Sequence, residues 1–160
     1  MDLLPLILVA VVIAGMAYLG IRQNRESARN GPLRDEIAGR VCFETPLDHV
    51  NKLGTGGFDG GTRNYWISLR GPTKLIVSTD SFMISAPQAL REFVFAGHES
   101  SIEFSQEPSR GITGITHDWI IITGRSGGRS VQLAIRRKDS LQEIWNALAG
   151  TGAALLRSPS

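Results

Sequence analysis

The stretch "DWIIITGRSGGRSVQLAIRRKDSLQEIWNALAG", residues 118–150, decides how this chain is read. Its first seven residues include three consecutive Ile, Ile120 to Ile122, the strongest strand signal in the sequence. "RSGG" (125–128) supplies a hairpin turn. Val131, Leu133 and Ile135 then alternate with polar or small neighbours, which marks one face of a second strand. At residue 140 the period changes from two to 3.6. Ser140 followed three residues later by Glu143 is a capping-box pattern. Leu141, Ile144, Trp145 and Leu148 share one helical face, and Gly150 is placed to end the helix.

Working outward, the same short-strand texture extends back to residue 63. "NYWISLR" (64–70) puts Tyr65, Ile67 and Leu69 on one face, and "GPT" (71–73) forms a tight turn. The runs 74–78, 82–85, 92–96 and 101–105 follow at close spacing. With 118–124 and 130–136 they make seven strands, which argues for an antiparallel barrel or sandwich. "RVCFE" (40–44) reads as a further short strand. "LGTGGFDGG" (53–61), with five Gly in nine residues, reads as a flexible loop.

The meander "NYWISLRGPTKLIVSTDSFMIS" (64–85) and the run of "SVQLAIR" straight into "DSLQEIWNALAG" resemble a pleckstrin-homology-like domain of the bacterial and GRAM type. The resemblance covers residues 63–150. It implies a seven-stranded, strongly bent antiparallel barrel, capped by a C-terminal helix whose Trp145 packs against it. The expected organisation is an anchor at 1–21, a juxtamembrane segment and Gly-rich linker at 22–62, the barrel with its helix at 63–150, and a flexible tail at 151–160.

The anchor expectation comes from "MDLLPLILVAVVIAGMAYLGIRQNRESAR" (1–29). Leu3 to Ile21 carry no charge, and nineteen helical residues reach about 28 Å, close to a bilayer core of about 30 Å. Arg22, Arg25, Arg29, Arg34 and Arg40 follow, against Glu26, Asp35 and Glu36. Basic flanks stay cytoplasmic, so the N-terminus is expected outside and the following domain inside, preceded by one transmembrane helix in the cell membrane. Gly31-Pro32 is expected to break any helix continuing past the span. A cleaved signal, and hence an exported β-domain, is the alternative. The acidic Met1-Asp2 start and the long apolar run argue against it.

Charge is uneven although the net value is only +2. Residues 41–117 carry six basic and eight acidic side chains, whereas 118–160 carry six basic and three acidic. Cys42 is the single cysteine, which excludes an intrachain disulfide and a thiolate zinc site and suits a reducing compartment.

The catalytic patterns are weak. Asp48-His49, His98-Glu99 and His117-Asp118 are sequence neighbours, and neighbours on a strand face opposite ways. "GTGGFDGG" lacks the Lys-Ser/Thr of a phosphate loop, and "GRSGG" (124–128) joins strand to strand rather than strand to helix. No enzyme activity, cofactor or metal is expected, an unrecognised enzyme site being the rival. The expected role is a binding or scaffolding module for a protein partner, its own copies or anionic phospholipid, and not for nucleic acid. The candidate lipid-binding set is Arg70 and Lys74 on the first hairpin with Arg125 and Arg129 on the last, four cations expected at one pole. "RRKD" (136–139) reads as a solvated strand exit.

Overall fold

The computed structural model describes residues 4–56, 63–87, 91–108 and 116–159. Helix α1 spans Leu4–Gly39 and is followed by strands β1 (Phe43–Leu47), β2 (His49–Gly56) and β3 (Arg63–Ser68). Then come β4 (Thr73–Val77), β5 (Ser81–Ala86) and β6 (Arg91–Ala96). The chain ends with β7 (Ser101–Pro108), β8 (Thr116–Ser126), β9 (Arg129–Arg136), helix α2 (Leu141–Ala149) and β10 (Ala154–Arg157).

The strands form two open sheets, one of four strands in the order β1-β4-β5-β6 and one of six in the order β10-β7-β8-β9-β2-β3. Neither closes on itself, which corrects the expected pleckstrin-like seven-stranded barrel. The reason lies in where the chain changes sheet. It crosses at the single residue Asp48 between β1 and β2, again at residues 69–72 between β3 and β4, and again at Gly97–Glu99 between β6 and β7. The meander of residues 64–85 is therefore split: β3 belongs to the larger sheet, while β4 and β5 pair in the smaller one.

Alternating apolar residues on the facing sides of the two sheets build the main core. Leu75, Phe82, Ile84 and Phe95 meet Ile102, Ile120, Ile122, Leu133 and Ile135, all fully buried. Phe82 and Phe95 stack across the β5–β6 pair with ring centroids 5.1 Å apart, a geometry worth about 0.5–1.5 kcal/mol beyond burial. Helix α2 closes this layer with Ile144, Trp145 and Leu148, the face its 3.6-residue spacing predicts. Ser140 is the N-cap residue, yet its side chain makes no cap hydrogen bond.

Helix α1 is one continuous element of 36 residues with Pro32 inside it. The expected break at Gly31-Pro32 does not occur, because the helix is held on both sides of it. Leu33 and Ile37, one turn apart, join Ile76, Met83 and Val94 in a second apolar cluster on the outer face of the smaller sheet. Asn30, on the same side of the helix, is buried as well. Every residue of β5 is consequently buried, since this strand is covered on both faces.

Among the described residues, no helix is long and apolar enough to cross a membrane. This corrects the single-pass transmembrane anchor, the cell-membrane location and the assignment of an outside N-terminus and a cytoplasmic domain, which had that span as their premise. The expectation took the apolar run as a helix of its own ending before Arg22. The helix instead continues through the charged residues 25–36 and docks on the sheet. The large apolar side chains described from Ile7 to Ile21 are each more than half exposed.

Two further elements depart from the sequence pattern. Residues 53–56 of the Gly-rich stretch belong to β2, paired with β3, while 57–61 lie outside the described residues. Ala154–Arg157, expected in the tail, form β10, which runs parallel to β7.

Candidate functional site

Three chain segments converge where β9 leaves the larger sheet. Strand β9 ends at Arg136, opposite His49 at the start of β2. The N–H of Asp48, the residue at the sheet-crossing corner, donates to the Arg136 carbonyl at 3.0 Å. The Asp48 carboxylate in turn accepts the backbone N–H of Lys138 at 2.8 Å. These two bonds fix the exit "RRKD" against the corner and set the path into α2. The main chain from Arg136 to Leu141 is thereby held as one wall of a cavity.

The cavity measures about 220 Å³ and is lined by His117, Asp118, Arg136, Arg137, Lys138 and Leu141. The lining residues thus include three permanent cations and one carboxylate, with the Asp48 carboxylate adjacent at Lys138. Its volume is below the roughly 300–1,000 Å³ of sites that enclose a drug-sized molecule. It fits a compact charged group rather than a large cofactor. Leu141 opens α2, and the first amides of a helix lack intrahelical partners and attract negative charge. Ile144 N–H bonds the Ser140 carbonyl at 3.1 Å, so that turn is regular.

On the same side of the sheet, the central guanidinium carbon of Arg136 lies 6.0 Å from the centroid of the Trp119 ring. The His49 ring lies 6.3 Å from Trp119 at an interplanar angle of 52°. The three side chains form a row across β2, β9 and β8 that the sequence, with 16 residues between Trp119 and Arg136, does not display.

The four cations singled out from the sequence separate into two pairs. Arg125 and Arg129 lie on the β8–β9 hairpin, paired with Ser130 and Ser126 respectively. Its turn uses Gly127 and Gly128, both with positive φ (61° and 77°), the backbone that a two-residue hairpin of this kind demands. Arg70 and Lys74 lie at the other end of the sheets. Leu69 N–H bonds the Val50 carbonyl, and Val50 pairs with Ile135 near the end of β9. The six residue steps from Arg129 to Ile135 span about 20 Å at 3.3 Å per residue. Lys74 is also engaged: its Nζ lies 2.9 Å from Glu44 Oε1.

The residues that form the cavity do not stand out in the sequence because each signal is bland alone. "RRKD" is a common strand exit, and His117-Asp118 is a neighbour pair on one strand. Only the pairing of β8 with β9 brings residues 117–118 beside 136–138. Among the described residues, no group of three or more His, Cys, Asp or Glu is arranged to hold a metal ion. Cys42 is an exposed free thiol. No protein-family model and no curated protein matches the chain.

Proposed function

We propose that this protein is a binding module that holds an anionic group of its partner in the cavity at the β9–α2 junction. The observation that supports this reading is the lining: Arg136, Arg137 and Lys138 against the single carboxylate of Asp118. The Asp48 bonds hold the backbone that carries these residues, so the ordering cost on binding is that of the side chains alone. Charge-assisted hydrogen bonds are each worth about 1.5–3 kcal/mol. Two or three of them suffice for micromolar to millimolar recognition of a small anion and for more as part of a larger interface.

Calorimetric titration of the full chain with pyrophosphate tests the reading. Paired Arg137→Ala and Lys138→Ala substitutions are expected to weaken binding at least tenfold, and paired Arg125→Ala and Arg129→Ala substitutions to leave it unchanged. Sedimentation with phosphatidylglycerol vesicles, compared with phosphatidylcholine vesicles, shows whether the anion is presented on a lipid surface. Absence of pyrophosphate binding, or a loss that follows Arg125 and Arg129 instead, contradicts the proposal.

A further inference from the structure

We infer that the group taken by this cavity is a phosphate, and that Trp119 is the positioning residue that presents the Arg136 guanidinium to it. The inference rests on the reading of the cavity as an anion site and names its ligand class.

Charge argues for phosphate. The lining residues carry three permanent cations and one carboxylate, and the Asp48 carboxylate on the Lys138 N–H is the next charge, which leaves the site net positive by one. A phosphate monoester carries about −1.5 to −2 near neutral pH and offers three acceptor oxygens to these donors, where a carboxylate offers two. Size agrees, since about 220 Å³ is ample for a tetrahedral oxyanion and small for the molecule that bears it. The remainder of the ligand therefore lies outside the cavity.

Geometry argues for Trp119. An arginine is useful to phosphate when its planar fork offers two parallel N–H donors, and that requires the plane to be held. The central guanidinium carbon of Arg136 lies 6.0 Å from the centroid of the half-buried Trp119 ring, a cation–π contact. A ring contact consumes none of the five guanidinium N–H donors, so they stay available to an anion. The position on β2 opposite Arg136 is His49, whose ring centroid lies 6.3 Å from that of the same Trp119. A cation beside a ring in this way gains enough to bias one orientation of a long side chain.

The test compares phenyl phosphate with benzoate, ligands of one scaffold and different charge, by calorimetry on the full chain. Phenyl phosphate is expected to bind at least tenfold more tightly. Trp119→Leu is expected to weaken phenyl phosphate several-fold without lowering Tm, and Trp119→Phe to restore most of the affinity. Arg136→Lys, which keeps the charge and loses the fork, is expected to weaken binding as Trp119→Leu does. In the wild type the Arg136 Hε resonance should carry a ring-current shift that Trp119→Leu abolishes, a readout that a merely structural Trp would not give. If Trp119→Leu fails to fold, the wild-type Hε shift and Arg136→Lys still decide the matter. Benzoate binding as tightly as phenyl phosphate overturns the phosphate assignment while leaving an anion site. Full affinity in Trp119→Leu or Arg136→Lys, or an Hε resonance without a ring-current shift, overturns the role of Trp119. If neither ligand binds, the anion site and this inference both fall.

Discussion

Asn30 Oδ1 accepts the backbone N–H of Gly127 at 2.7 Å, joining helix α1 to the β8–β9 turn across 97 residues of sequence. The same side chain donates from Nδ2 to the Glu92 carbonyl at 3.4 Å. One buried amide thus ties the helix to both sheets, since Gly127 belongs to the turn of the larger and Glu92 to an edge strand of the smaller. Ser126 Oγ adds a second tie by accepting the Val94 N–H at 2.9 Å. Replacing Asn30 by Leu leaves the Gly127 N–H buried without an acceptor, which costs about 1–3 kcal/mol. Urea unfolding is expected to show that loss. Asn30→Asp, which keeps an acceptor for Gly127, should lose less.

The docked half of α1 is part of the folded unit and its apolar half is not. Ile37 is fully buried against Ile76, Met83 and Val94, and Ile37→Ala is expected to cost about 2–5 kcal/mol. Leu8 is 64% exposed, and Leu8→Ala should change unfolding free energy by less than about 0.5 kcal/mol. Equal effects at the two positions would contradict this division of the helix.

Gly97 lies where the chain turns from the smaller sheet to the larger, and its N–H bonds the Asp80 carbonyl at 2.7 Å. A Cβ there would run into the carbonyl oxygen of Thr151, a backbone atom in the turn after α2. Thr151 is pinned in turn by its hydroxyl donating to the Leu148 carbonyl at 2.7 Å. Gly97→Ala therefore forces backbone movement and is expected to cost about 1–3 kcal/mol in a thermal melt, or more. A variant as stable as the wild type would show that the two turns are not in close contact.

Lys74 and Glu44 form a 2.9 Å ion pair with both side chains nearly half exposed. Such pairs contribute about 0–1 kcal/mol. Lys74→Ala should accordingly shift stability by no more than that, and less at high salt.

How much of this was legible in the sequence differs from element to element. The alternation in 130–136 and the change of period at Ser140 place β9 and α2 because each signal is local: the residues that define the face also bury it. Trp145 follows from the same spacing. The split into two sheets was not legible, because it depends on which strands pair across corners such as Asp48, a one-residue link with no turn signature. Helix α1 passes Gly31-Pro32 against local preference because Asn30, Leu33 and Ile37 gain partners on a sheet far along the chain. The convergence expected for Arg70, Lys74, Arg125 and Arg129 assumed hairpins sharing a pole, whereas the length of β9 separates them. The cavity was hidden because "RRKD" reads as an ordinary strand exit, and only the pairing of β8 with β9 brings His117 and Asp118 beside it.

The most direct test of the account is a two-dimensional amide NMR titration of the full chain with pyrophosphate. The account predicts shift changes concentrated at His117, Asp118, Arg136, Arg137, Lys138 and Leu141, with the indole N–H of Trp119 moving alongside them. Changes confined to the Arg125–Arg129 turn, or a spectrum that does not respond, would contradict it.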